Sequence, residues 1–86
     1  MGRPKFYNMD VTGQVAVFDN NARGKSVMII ANLKNAASIF IGDVDSQEVE
    51  LEAGDSTPFI EIEKLNEILV YGTDGDRAQA ILIMGK

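Results

Sequence analysis

The apolar residues of this chain recur mainly with period 2. Glu48-Val49-Glu50-Leu51-Glu52 alternates without a break. Side chains of an extended segment point to opposite faces in turn, so Val49 and Leu51 are expected inward and the three glutamates outward. Residues 14–18 read as a strand, followed by turn-formers from Asp19 to Gly24. Residues 25–33 hold a nearly continuous β-branched run, expected as a central strand buried on both sides or at an interface. Further strands are expected at 39–42, at 57–62 with Ile60 and Ile62 inward, at 67–71 and at 77–84. Pro58 lacks an N–H and belongs at a strand start or edge.

Turn signals separate these runs: Gly42 to Ser46, Ala53-Gly54-Asp55-Ser56, and Gly72-Thr73-Asp74-Gly75-Asp76, a hairpin-like turn with Asp-Gly at its centre. The rival element is 61–70, where Ile62, Leu65 and Leu69 would share one helical face. That run is short for a stable helix, so at most a helical turn around Lys64 to Glu67 competes with a strand. The expectation is an all-β chain, a small antiparallel β-sandwich or jelly-roll-like domain of seven to eight short strands.

A chain of 86 residues holds one core. The expected division is a flexible N-terminal arm, 1–10, and a single β-sandwich domain, 11–86. With 45% hydrophobic residues there is ample material for a core, but no cysteine to staple it, so oligomerisation is the remaining common reinforcement. The longest apolar stretch, residues 27–31, is far short of the roughly 20 residues of a membrane helix, and no apolar leader opens the chain. No membrane partner and synthesis in the cytoplasm are therefore expected. Charge is uneven: residues 1–25 carry four cations against two acids, and residues 26–86 four cations against eleven acids. An acidic body repels phosphate backbones, which counts against nucleic acid and against an RNA-binding barrel.

Histidine and cysteine are both absent, which removes the commonest general base and the strongest nucleophile. Glu48, Glu50 and Glu52 share a face, but in so small a domain they read as a solvated strand face rather than a glycosidase pair. Asp43/Asp45 and Asp74/Asp76 resemble fragments of calcium loops. The first lacks the glycine an EF-hand needs at its sixth position, the second is too short, and both read as plain turns. No enzyme, cofactor or metal is expected.

The stretch from Asn35 to Met84 resembles small virion surface proteins of tailed bacteriophages, of the capsid decoration (cement) or head-fibre type. The similarity is carried by Leu51-Glu52-Ala53-Gly54-Asp55-Ser56 and by Leu65-Asn66-Glu67-Ile68-Leu69-Val70-Tyr71-Gly72. The resemblance implies a β-sandwich on the virion, assembled in the host cytoplasm, often trimeric, bound to the major capsid protein or another virion protein. It also leaves open a fibre- or tail-associated receptor- or carbohydrate-binding or adaptor module, for which Tyr71 near Asp74 is the candidate. Within this frame Arg3, Lys5, Phe6 and Tyr7 are the expected anchor, because aromatics and arginine dominate interface hot spots; the plainer reading is a solvated terminus. Val27 and Ile29, in the 27–31 strand, are the expected self-association face.

Overall fold

The computed structural model describes residues 4–18 and 22–84. Arg3 and the turn residues Asp19, Asn20 and Asn21 lie outside them. The chain is all-β, with strands β1 (Pro4–Asp10), β2 (Ala16–Val17), β3 (Ser26–Ala31), β4 (Ile39–Gly42), β5 (Val49–Leu51), β6 (Ile60–Glu61), β7 (Leu69–Tyr71) and β8 (Arg77–Ile83). Among the described residues a single 3₁₀ turn, Leu65–Glu67, stands where the helical turn competes.

Two four-stranded antiparallel sheets form, ordered β1-β8-β3-β6 (sheet A) and β2-β7-β4-β5 (sheet B). The pairs β1–β8, β2–β7, β3–β6 and β4–β5 nest around the β4–β5 hairpin. One long two-stranded ribbon thus folds over on itself, and the contacts β3–β8 and β4–β7 seal it into two layers. That is the topology of an eight-stranded jelly roll.

Two expectations change here. Residues 4–10 are not a loose arm: all seven pair with β8, from Pro4 opposite Ile83 to Asp10 opposite Arg77. Met9 alternates into the core, and burying it together with a full row of backbone bonds holds the segment down. The 72–76 turn is also not a hairpin. Gly75 does take a positive φ of 95°, but β7 and β8 belong to different sheets, so the turn arches across the sandwich.

The core lies between the layers. Sheet A contributes Val27, Ile29 and Ala31 from β3, Ala78, Ala80 and Leu82 from β8, and Met9 from β1. Sheet B contributes Ile39, Ile41, Leu51 and Val70. Leu65, fully buried, closes one side, which is why the chain breaks into a helical turn there. Ile60 and Ile62 pack partly against this core, but β5 keeps only half its expected pattern. Leu51 is buried opposite Ile39, while Val49, opposite Ile41, is exposed on the edge strand. Gly42 ends β4 where a Cβ would overlap the Ser46 carbonyl, so the 43–46 loop folds back over it.

Polar side chains complete the backbone where strands leave the sheets. The buried Asp76 carboxylate accepts the Ala36 and Ala37 amides at 2.9 and 3.1 Å. Asn35 and Arg77 bond reciprocally: Arg77 N–H donates to Asn35 Oδ1 (2.7 Å) and Asn35 Nδ2 to the Arg77 carbonyl (2.8 Å). These contacts tie the β3–β4 connection to the start of β8. At β3, Thr57 Oγ1 accepts the Ile29 amide (3.0 Å) while Thr57 N–H donates to the Ile29 carbonyl (2.9 Å). The Glu67 carboxylate accepts the Lys64 and Glu63 amides at 2.7 and 3.0 Å. Those bonds, Lys64 first, hold the carboxyl below its ordinary value of 4.5.

Asp76→Ala leaves the Ala36 and Ala37 amides without acceptors, and chemical denaturation should show a loss of about 1–3 kcal/mol. Because folding lowers the Glu67 pKa, its contribution is complete above the unfolded value and is lost as pH falls through the folded one. Unfolding midpoints between about pH 6 and pH 3 should therefore fall less steeply in Glu67→Gln than in the parent chain.

Candidate functional site

Strand alternation decides which residues a partner can reach. In β3 the register places Val27 opposite Leu82 and Ile29 opposite Ala80, all fully buried between the sheets. The expected self-association pair therefore belongs to the core. The outward set of the same strand, Met28 and Ile30, is only partly covered. A period-2 run with apolar residues on both alternates could not say which set faced in, and the opposite sheet made that choice.

The expected anchor is divided the same way. Phe6 faces outward and is 68% exposed. Lys5 and Tyr7 lie on the alternate side, opposite Leu82 and Ala80, with Tyr7 packed at the core margin and the Lys5 ammonium 5.7 Å from its ring centroid. Arg3 lies outside the described residues. Of the four, the structure brings Lys5 and Tyr7 together and directs Phe6 elsewhere.

Phe6 instead joins a group that sequence reading did not assemble. It is opposite Ile81 in β8, and Ile81 is opposite Met28 in β3. Pro4, Ile83 and Ile30 lie on the same outward alternate of sheet A, and at its far side Phe59, next to the inward Ile60, is 47% exposed. A solvent-facing antiparallel sheet normally carries polar side chains on its outer face. Here that face is an apolar stripe crossing β1, β8 and β3, with Asn8 opposite Gln79 and the Asp10–Arg77 ion pair (3.4 Å) toward one end. Phe6 and Phe59 are exposed on this face, and Ile81, Met28, Ile30 and Ile83 are half-buried. The signal was present in the sequence as the second alternate of residues 25–33 and 77–84.

Tyr71, 43% exposed, lies opposite Phe40 on the outer face of sheet B. The Asp43 carboxylate accepts the Asp45 and Ser46 amides at 2.9 and 3.1 Å, so it holds its own turn. Asp76 is committed to Ala36 and Ala37, as above. Among the described residues no cluster of three or more acidic side chains is placed to hold a metal ion. A depression of about 390 Å³ is lined by Asn32, Leu33, Lys34, Asn35, Gly75 and Arg77, none of them a carboxylate or hydroxyl.

Neither a protein-family model nor a curated protein matches the chain. A solved structure of Bacillus endospore appendages, described as a novel family of disulfide-linked pili, has a similar fold: TM-score 0.53 at 11% identity, over 99% of this chain and 88% of that one. At that identity the likeness shows the fold alone, and this chain has no cysteine with which to form a disulfide.

The division of faces is testable by stability. Ile29→Ala should cost about 2–5 kcal/mol, whereas Phe6→Ser should change unfolding free energy by no more than about 0.5 kcal/mol. Equal losses would mean that Phe6 is packed.

Proposed function

We propose that this chain is a structural, non-catalytic module of a tailed-bacteriophage virion, a capsid decoration protein that docks on the major capsid protein and reinforces the shell. The observation that carries the reading is the apolar row Phe6–Ile81–Met28 on the outer face of sheet A, exposed at Phe6 and half-buried at Ile81 and Met28. Burying such surface contributes about 25 cal/mol per Å², so a rigid face repeated over a lattice can hold neighbouring subunits against expansion.

The resemblance of residues 35–84 to small virion proteins supplies the setting. The segments that carry it are fold-determining: Gly54, at φ 88°, turns the chain after β5, and Leu65 and Val70 fill the core. They speak for the kind of scaffold, while the stripe speaks for its use. The alternative, a fibre- or tail-associated receptor-binding or adaptor module, rests on exposed Tyr71 and would use sheet B instead.

Mass spectrometry of purified virions encoded by the same genome should find the chain in the capsid fraction at a copy number comparable to the capsid subunit. Phe6→Ser/Ile81→Ser should weaken its cosedimentation with those shells on the order of tenfold or more. Absence from virions would overturn the reading, and presence only in tail fractions would favour the alternative.

A further inference from the structure

Four strands border the two sheets: β1 and β6 in sheet A, β2 and β5 in sheet B. β2 and β6 are two residues long and β5 is three, with Glu50 at its centre. Short and charged edges resist pairing with other chains. β1 differs. Its seven residues span about 23 Å, and among the described residues no strand lies on its outer side.

The direction of its backbone groups follows from the register. In an antiparallel pair, hydrogen-bonded and non-hydrogen-bonded residue pairs alternate. Val11 N–H donates to the Asp76 carbonyl at 2.8 Å, continuing the β1–β8 register, so Met9, Tyr7 and Lys5 bond β8. The other side of β8 agrees. Asn32 N–H donates to the Arg77 carbonyl at 3.2 Å, which turns Arg77, Gln79 and Ile81 toward β3 and leaves Ala78, Ala80 and Leu82 for β1. The amides and carbonyls of Phe6 and Asn8 therefore point out of the open edge.

We infer that β1 is a self-pairing edge through which a second copy of this chain adds antiparallel to sheet A, centred on Tyr7. In that register every residue of one β1 lies opposite a residue of the other. Phe6 faces Asn8 twice, so the outward amides and carbonyls of each copy meet those of its mate. Lys5 falls opposite Met9 and Asp10 opposite Pro4, so no like charges meet. The strand carries one cation and one anion, and the acids that give the chain its net charge of −5 lie mostly beyond residue 25. Antiparallel pairing about a two-fold axis perpendicular to the sheet keeps both outer faces on one side. The two Phe6–Ile81–Met28 rows then lie on one face, offset along the strands, with each Phe6 beside Asn8 of the mate. The pairing does not depend on the virion reading.

Sedimentation velocity of the full chain should show concentration-dependent formation of a species of twice the 9.4 kDa chain mass. Asn8→Pro removes an amide that faces the open edge and none that bonds β8, a position where an edge strand tolerates proline. It should keep the parent circular dichroism spectrum and weaken the dimer at least tenfold. Tyr7→Cys, in a chain without other cysteines, should cross-link to dimer under mild oxidation, because residues facing each other across a non-hydrogen-bonded pair lie within disulfide reach. A parent chain that stays monomeric to concentrations on the order of 1 mM, or a dimer that neither Asn8→Pro weakens nor Tyr7→Cys traps, would overturn the inference. A dimer from a chain absent from virions would sink the functional reading and leave this one standing.

Discussion

The inner face shared by β3 and β8 holds this molecule together. Val27, Ile29 and Ala31 lie opposite Leu82, Ala80 and Ala78, and all six are inaccessible to water. Each fully buried large aliphatic side chain contributes about 1.5–3 kcal/mol, and in a chain of 86 residues a few such groups are a large part of what opposes chain entropy. The alanines of β8 have a second effect. Their small side chains leave room for Ile39, Ile41 and Val70 of the facing sheet, so the fully buried core is aliphatic and the aromatics Tyr7 and Phe18 pack only at its margin. β1 and β6 flank this pair on one sheet, and β4 and β7 lie across from it on the other.

A ribbon folded over in this way must cross between layers at nearly every connection, and each crossing strips backbone groups of their sheet partners. Asp76, Asn35 and Thr57 replace those partners with side-chain oxygen and nitrogen. Their roles account for residues that in isolation resemble fragments of ion-binding loops. A buried carboxylate that accepts two amides is a structural acceptor, and an Asp-Gly pair whose glycine takes a positive φ marks the arch between layers. Asp43 and Asp76 are therefore part of the frame.

With the frame so assigned, the surface left over has two notable features. The outer face of sheet A carries Phe6, Ile81 and Met28 in one cross-strand row, and β1 leaves backbone donors and acceptors at its open side. Both features involve β1, which contributes Phe6 to the row. A partner bound to the stripe and a copy paired along the edge would each restrain β1, so assembly and docking reinforce one another through shared residues. The pilus likeness fits a scaffold that tolerates unrelated surfaces, since at 11% identity little but the backbone path is common to the two chains.

The strands and turns were legible because alternation and Gly/Asp/Asn punctuation are local properties. Residues 39–42 became β4 at the expected bounds, the all-β class held, and the 3₁₀ turn at Leu65–Glu67 arose where helical and extended spacing compete. Three things required the third dimension. Val27 and Ile29 are chemically like Met28 and Ile30, and only the position of sheet B sends one pair inward. Residues 4–10 looked like a loose terminus because their partner, β8, is about seventy residues away along the chain. Gly72 to Asp76 read as a hairpin because a local turn signal fixes the bend but not which sheet the next strand joins. The sequence by itself determined the extended segments, their breaks and the lack of imidazole and thiol. Tertiary structure alone decided which face is core, which faces outward and, among the described residues, which strand borders a sheet, because burial is settled by residues far apart in the chain.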